Sequence, residues 1–173
     1  TLLIGGLFSF FNAGSGTNQS NHMYKLGPVH QGVMERGAKT GSFSYMRWPC
    51  KVGAYNVVLD KHTGHFDTSE FPFSYITTEA GKSYLIPAMH FFSAGAHRDA
   101  AKWPSRDRRG KTDALDLIHY GLLNPRILHK VIQAIDVLNQ LLEKMPEEQE
   151  TIHYKGVRIK KSMIRAGIRY YKL

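Results

Sequence analysis

Nine histidines in a 173-residue chain are enough to ask where a proton could be moved near neutral pH. Four of them draw attention. His30 lies in "GPVHQG", where Gly27 and Gly32 let backbone amides come close to a ligand. His22 sits among Asn18, Gln19, Ser20 and Asn21, groups suited to sugar hydroxyls. His62 and His65 flank Gly64, and Asp67 stands two residues beyond His65, where it could orient the ring. His30 and His62 are the candidate general bases. His22, Asn21, His65 and Asp67 are candidate binding residues. Each of these histidines can equally be a hydrogen-bonded structural group. A zinc site needs three or four converging ligands, and this spacing does not supply them.

A second group of residues is basic. "RDAAKWPSRDRRGK" carries Arg98, Lys102, Arg106, Arg108, Arg109 and Lys111, with Trp103 among them. Arginine forks match phosphate or carboxylate, and an indole can stack on a base. Arg98, Trp103, Arg106 and Arg109 are therefore candidate contacts for a nucleotide, a coenzyme A or a phosphosugar; the alternative is a solvated linker. The last 23 residues hold seven Lys/Arg and no Asp/Glu, without a nucleic-acid motif, so no nucleic-acid partner is expected.

These residues need a frame. The formal charge of +9 is uneven: residues 1–97 hold 7 Lys/Arg against 5 Asp/Glu, and residues 98–173 hold the other 16 against 9. A composition break near Gly95 divides the chain into 1–97 and 98–173. No run of 18 apolar residues is present, so no membrane span or membrane partner is expected. The single cysteine, Cys50, excludes an internal disulfide and fits a cytoplasmic location. The apolar start without Met, and an end in mid-pattern, suggest a piece of a longer protein.

From 98 onward the apolar spacing is helical. Leu115, Ile118, His119 and Leu122 predict one helix, and Ile127, Val131, Ile135, Leu138 and Leu142 a second. Asn124-Pro125 supplies a cap and a first-turn proline between them. "TIHYKGVRI" reads as extended around Gly156, and 160–172 as a basic helix.

The stretch 32–58 fits neither a helix nor a simple strand. It fits a period of six. Met34, Thr40, Met46, Val52 and Val58 occupy one slot, and the small residues Gly32, Ala38, Ser44, Cys50 and Asn56 stand two before each. His62 continues the small slot. Loop excursions interrupt the pattern near 12–28 and 62–75. Six-residue recurrence of an aliphatic and a small inward slot predicts a left-handed parallel β-helix over 1–97, followed by a C-terminal α-helical region.

This run resembles the hexapeptide-repeat, left-handed parallel β-helix superfamily. "SNHMYKLGPVHQGVMERGAKTGSFSYMRWP" and "HTGHFDTSEFPFSYI" are similar to one uncharacterised bacterial branch, long proteins with such repeats and a helical C-terminal part. The resemblance implies a trimer and a transferase. It would move an acyl group from acyl-CoA onto a sugar, nucleotide-sugar or amine, with a histidine as base. No firmly bound cofactor is expected; acyl-CoA or a nucleotide-sugar would be a substrate. The alternative is a non-catalytic trimerising scaffold or ligand-binding module.

Overall fold

The computed structural model describes residues 2–5, 9–20, 31–109 and 117–173. The first part is built from short strands: β1 (Leu2–Gly5), β2 (Asn18–Ser20), β3 (Gln31–Met34), β4 (Lys39–Thr40), β5 (Tyr45–Arg47), β6 (Lys51–Val52), β7 (Val57–Val58) and β8 (Lys61–His62). The longer strands β9 (Tyr75–Glu79) and β10 (Lys82–Ile86) follow, then helices α1 (Met89–Phe92), α2 (Gly95–Arg106) and α3 (Pro125–Lys144). A hairpin of β11 (Thr151–Tyr154) and β12 (Val157–Lys160) leads into α4 (Lys161–Tyr171).

The strands form two three-stranded sheets, β1-β3-β6 and β2-β5-β8, and one six-stranded sheet, β11-β12-β10-β9-β7-β4. Strands β4, β7 and β9 pair in parallel at a stagger of 18 residues, Lys39 against Val57 and Val57 against Tyr75. The period of six locates the inward residues correctly. Met34, Thr40, Met46, Val52 and Val58 are all buried, as are Ala38, Ser44, Cys50, Asn56 and His62. Polar slots are satisfied internally: Asn56 donates to Thr68 Oγ1 at 3.0 Å and accepts from the Ser74 amide at 2.8 Å. Such pairing removes most of the cost of burying an amide.

The expected architecture, a left-handed parallel β-helix followed by a helical region, is corrected by the sheet topology. The largest sheet is mixed, and its antiparallel members lie beyond the repeat. β9 and β10 form a hairpin closed by Ala80 and Gly81, both at positive φ. β11 and β12 form another, closed by Lys155 and Gly156, also both at positive φ. Two consecutive left-handed residues match the twist of a tight hairpin, and the chain turns back on itself there. β12 then pairs in parallel with β10, so the C-terminal part contributes strands to the same sheet. The aliphatic slot of the repeat fails at Gly64, which is exposed, while the small slot runs on through His62, Thr68 and Ser74, all buried.

The helices cover the open side. Asn124 Oδ1 accepts from the Ile127 amide at 3.0 Å, and Pro125 follows as the first helical residue, as its fixed φ favours. α3 buries Ile127, Ala134, Leu138 and Leu141. Residues 117–124 before it are irregular, so the helix expected around Ile118 and His119 is absent among the described residues; Leu115 lies outside them. α4 buries Ile164 and Gly167 against α3. A Cβ on Gly167 would lie 2.7 Å from Pro87 Cβ, so glycine permits the approach. Residues 98–106, part of the basic segment read from sequence as a ligand contact or a linker, lie in the helix α2.

Candidate anion-binding cleft

Arg98, Lys102 and Arg106 recur every four residues and share one face of α2. Opposite them lies β4, whose Lys39 reaches toward the helix. Together with Asn12, Gly37, Asp99 and Trp103 these residues line a cleft of about 200 Å³. Among the described residues four cations face one carboxylate.

That carboxylate is already engaged. Asp99 Oδ2 forms a close ion pair with Lys39 Nζ and stands 3.4 Å from His90 Nε2, while Oδ1 lies 3.6 Å from Arg98 Nε. Burial works to raise the Asp99 pKa, but the Lys39 hydrogen bond and the surrounding positive charges hold it below the ordinary carboxylate value. Asp99 is thus ionised near neutral pH, and its charge is spent on Lys39. The remaining positive field belongs to Arg98, Lys102 and Arg106, whose side chains are exposed.

His90 supports this arrangement from beneath. Its ring is 1% exposed, and Nδ1 is 2.7 Å from the Tyr55 carbonyl oxygen. A carbonyl only accepts, so Nδ1 carries the hydrogen. Burial pushes the His90 pKa down. The short α1 that carries it is bracketed by Ala88 and Ala94, both left-handed at φ 60° and 57°. A left-handed alanine costs about 1–2 kcal/mol, and tertiary contacts must offset it here. Gly95 begins α2 directly against the ring: a Cβ there would lie 2.7 Å from His90 Cδ2.

Trp103 anchors the helix. It packs on Phe10 at 4.6 Å and stacks parallel to Tyr120 at 6.3 Å between centroids. Part of its ring surface is therefore occupied by protein. Arg109 is held outside the cleft by Asp107, with Nη2 2.6 Å from Oδ2, and by the Tyr120 hydroxyl.

The histidines expected to carry chemistry are dispersed. His30, His22 and Asn21 lie outside the described residues. His62 is fully buried, with Nε2 2.5 Å from the Leu59 carbonyl and Nδ1 2.8 Å from Ser83 Oγ. His65 and Asp67 line one open depression of about 530 Å³ with Cys50, Lys51 and Lys155. Asp67 Oδ1 accepts from the amide and hydroxyl of Ser69, and Oδ2 lies 3.5 Å from Lys51. Burial works to raise the Asp67 pKa, but the Ser69 hydrogen bonds and the two lysines hold it low. The structure thus brings together Arg98, Trp103 and Arg106, and keeps His62, His65, Asp67 and Arg109 apart from them. Lys39, Lys102, Asp99 and His90 complete the cleft. Of these, Lys102 had a sequence signal: the four-residue spacing of Arg98, Lys102 and Arg106.

Among the described residues no group of three or more His, Cys, Asp or Glu side chains could hold a metal ion, and no helix is long and apolar enough to cross a membrane. Residues 1–142 match the model of the family described as Domain of unknown function (DUF4954), and the chain belongs to that family. No curated protein matches the chain.

Proposed function

We propose that this member of the DUF4954 family is a ligand-binding module that grips the phosphate groups of a small molecule in the α2 cleft. The observation that supports the reading is the Arg98–Lys102–Arg106 row, set beside a carboxylate already paired with Lys39. Arginine forks and an ammonium on one helical face suit phosphate oxygens that present several acceptors at once. At about 200 Å³ the cleft takes a phosphate or diphosphate; pockets for whole drug-sized ligands are larger, about 300–1,000 Å³. A nucleoside diphosphate or coenzyme A would therefore insert its phosphates and leave its base outside.

Thermal unfolding with coenzyme A and a uridine diphosphate sugar tests this. The melting temperature should rise with ligand concentration, as mass action requires, and the rise should shrink with added salt. R98Q/K102Q/R106Q should abolish the rise while leaving the ligand-free transition near its original temperature, because these side chains are exposed. No rise with either ligand, or an equal rise in the triple variant, overturns the proposal.

A further inference from the structure

His62 presents its proton-accepting nitrogen to a serine. The Leu59 carbonyl 2.5 Å from Nε2 can only accept, so Nε2 carries the hydrogen of the neutral ring. Nδ1 is then a lone pair, 2.8 Å from Ser83 Oγ. A hydroxyl, a base within hydrogen-bond reach and a third group fixing the base's tautomer make the arrangement of an activated nucleophile. Phe66 packs edge-on against the ring at 5.3 Å and limits its rotation.

Ser83 is half-buried on β10 and faces a cavity of about 270 Å³, distinct from the α2 cleft. Lys82, His153 and Arg158 line it too, and among the described residues no carboxylate does. Among the described residues none of these three takes part in an ion pair, whereas Lys39, Lys130, Lys155 and Lys160 all do. Gly64 and Gly81 also border the cavity, and a Cβ on either would meet nothing within 4 Å, so the approach to Ser83 is open.

We infer that Ser83 is a nucleophile activated by His62, and that this second cavity hydrolyses an ester or thioester whose acyl group carries an anion. Ser83 Oγ bonds to the carbonyl carbon as its proton passes to His62 Nδ1. The tetrahedral adduct collapses, the bond to the alcohol or thiol breaks, and that leaving group takes the proton from Nδ1. Water then gives a proton to Nδ1 and attacks the acyl-serine. Cleavage of the Oγ–C bond releases a carboxylic acid, and the proton returns to Ser83. Lys82 and Arg158 bind the substrate's anion and favour the developing oxyanion. Proton transfer requires neutral His62, which burial favours by pushing its pKa down. This activity is independent of ligand binding at α2, so the two proposals fail separately.

The test uses the whole chain with 4-nitrophenyl acetate and 4-nitrophenyl hemisuccinate. Intact mass and peptide mapping should place the acyl adduct on Ser83. S83A should lose both the adduct and the burst of 4-nitrophenol while keeping the circular dichroism of the parent. R158Q should slow the hemisuccinate about tenfold more than the acetate, since it removes a charge-assisted contact that only the anionic ester makes. Because burial holds the His62 pKa below the ordinary histidine value, the rate should stay flat down through about pH 6.5 and fall only at lower pH, as His62 gains a proton. A folded parent with no adduct on Ser83, or S83A labelled at the parent rate, overturns the inference.

Discussion

The sharpest test of the buried-histidine chemistry is the pH dependence of stability. His62 and His90 are 0% and 1% exposed, and burial pushes both pKa values below the ordinary histidine value of 6.5. The sign follows from proton binding. Below about pH 6.5 the unfolded chain protonates both imidazoles, while the folded protein resists doing so. The unfolded state then binds more protons, and stability falls as pH falls. Stability from these two groups is fully present above about pH 6.5 and is lost toward their lower folded values. Each fully differential proton gives a slope of about 1.4 kcal/mol per pH unit, so the pair sets an upper limit of about 3 kcal/mol per pH unit. Between about pH 6 and about pH 5 stability should fall as pH falls, with a slope no steeper than that limit. Urea unfolding at half-unit intervals from about pH 5 to about pH 8, with the m-value held constant, reads this directly. His62→Gln keeps a donor and an acceptor but does not titrate, so it should lower the slope in this range. A flat profile across the range, or an undiminished slope in the His62 variant, refutes the reasoning.

Two further predictions rest on single positions. Gly37 has φ +69°, and a Cβ there would lie 2.3 Å from the Tyr55 ring, so Gly37→Ala should destabilise by about 2–4 kcal/mol, from overpacking plus left-handed strain; the urea midpoint measures it. A destabilisation under about 1 kcal/mol would contradict the packing. Cys50 is 1% exposed and its thiol is pushed up to about 12 by burial, so a disulfide reagent should label it no faster than the folded protein opens; rapid labelling of the native state would contradict its burial.

The sequence showed the interior better than the architecture. Met34 to Val58 repeat because one inward slot takes an aliphatic or small residue every six positions, and one-dimensional spacing carries that information. Sheet closure was hidden because it depends on partners far apart, Tyr84 against Arg158 among them. It also depends on alanine in the left-handed region at position 80, where composition gives no glycine cue. Half of the α2 cleft was legible as the run of Arg98, Lys102 and Arg106. Pro104 lies inside α2 two residues before its end, so its missing amide and its ring disturb only the final turn. Lys39, 60 residues away, carries no mark in the sequence of its pairing with Asp99. His62 was singled out by its slot, but its partner Ser83 had no sequence signal at all.

A column of left-handed corners connects the repeat to the cleft. Gly37, Tyr55 and Phe73 are 18 residues apart and all have positive φ, and the Tyr55 and Phe73 rings stack at 5.0 Å. The same corners hold His90. The Tyr55 carbonyl accepts from Nδ1, and the Phe73 carbonyl accepts from the His90 amide at 2.9 Å. His90 in turn fixes where Gly95 starts α2, and Gly37 itself lines the cleft. The spacing between Lys39 and the Arg98–Lys102–Arg106 row is therefore set by the corner column, with the Lys39–Asp99 pair closing the span. Displacing Tyr55 by adding a methyl group at position 37 moves both ends of that span. Stability and ligand affinity should then fall together in Gly37→Ala, whereas the exposed triple variant should lose affinity alone.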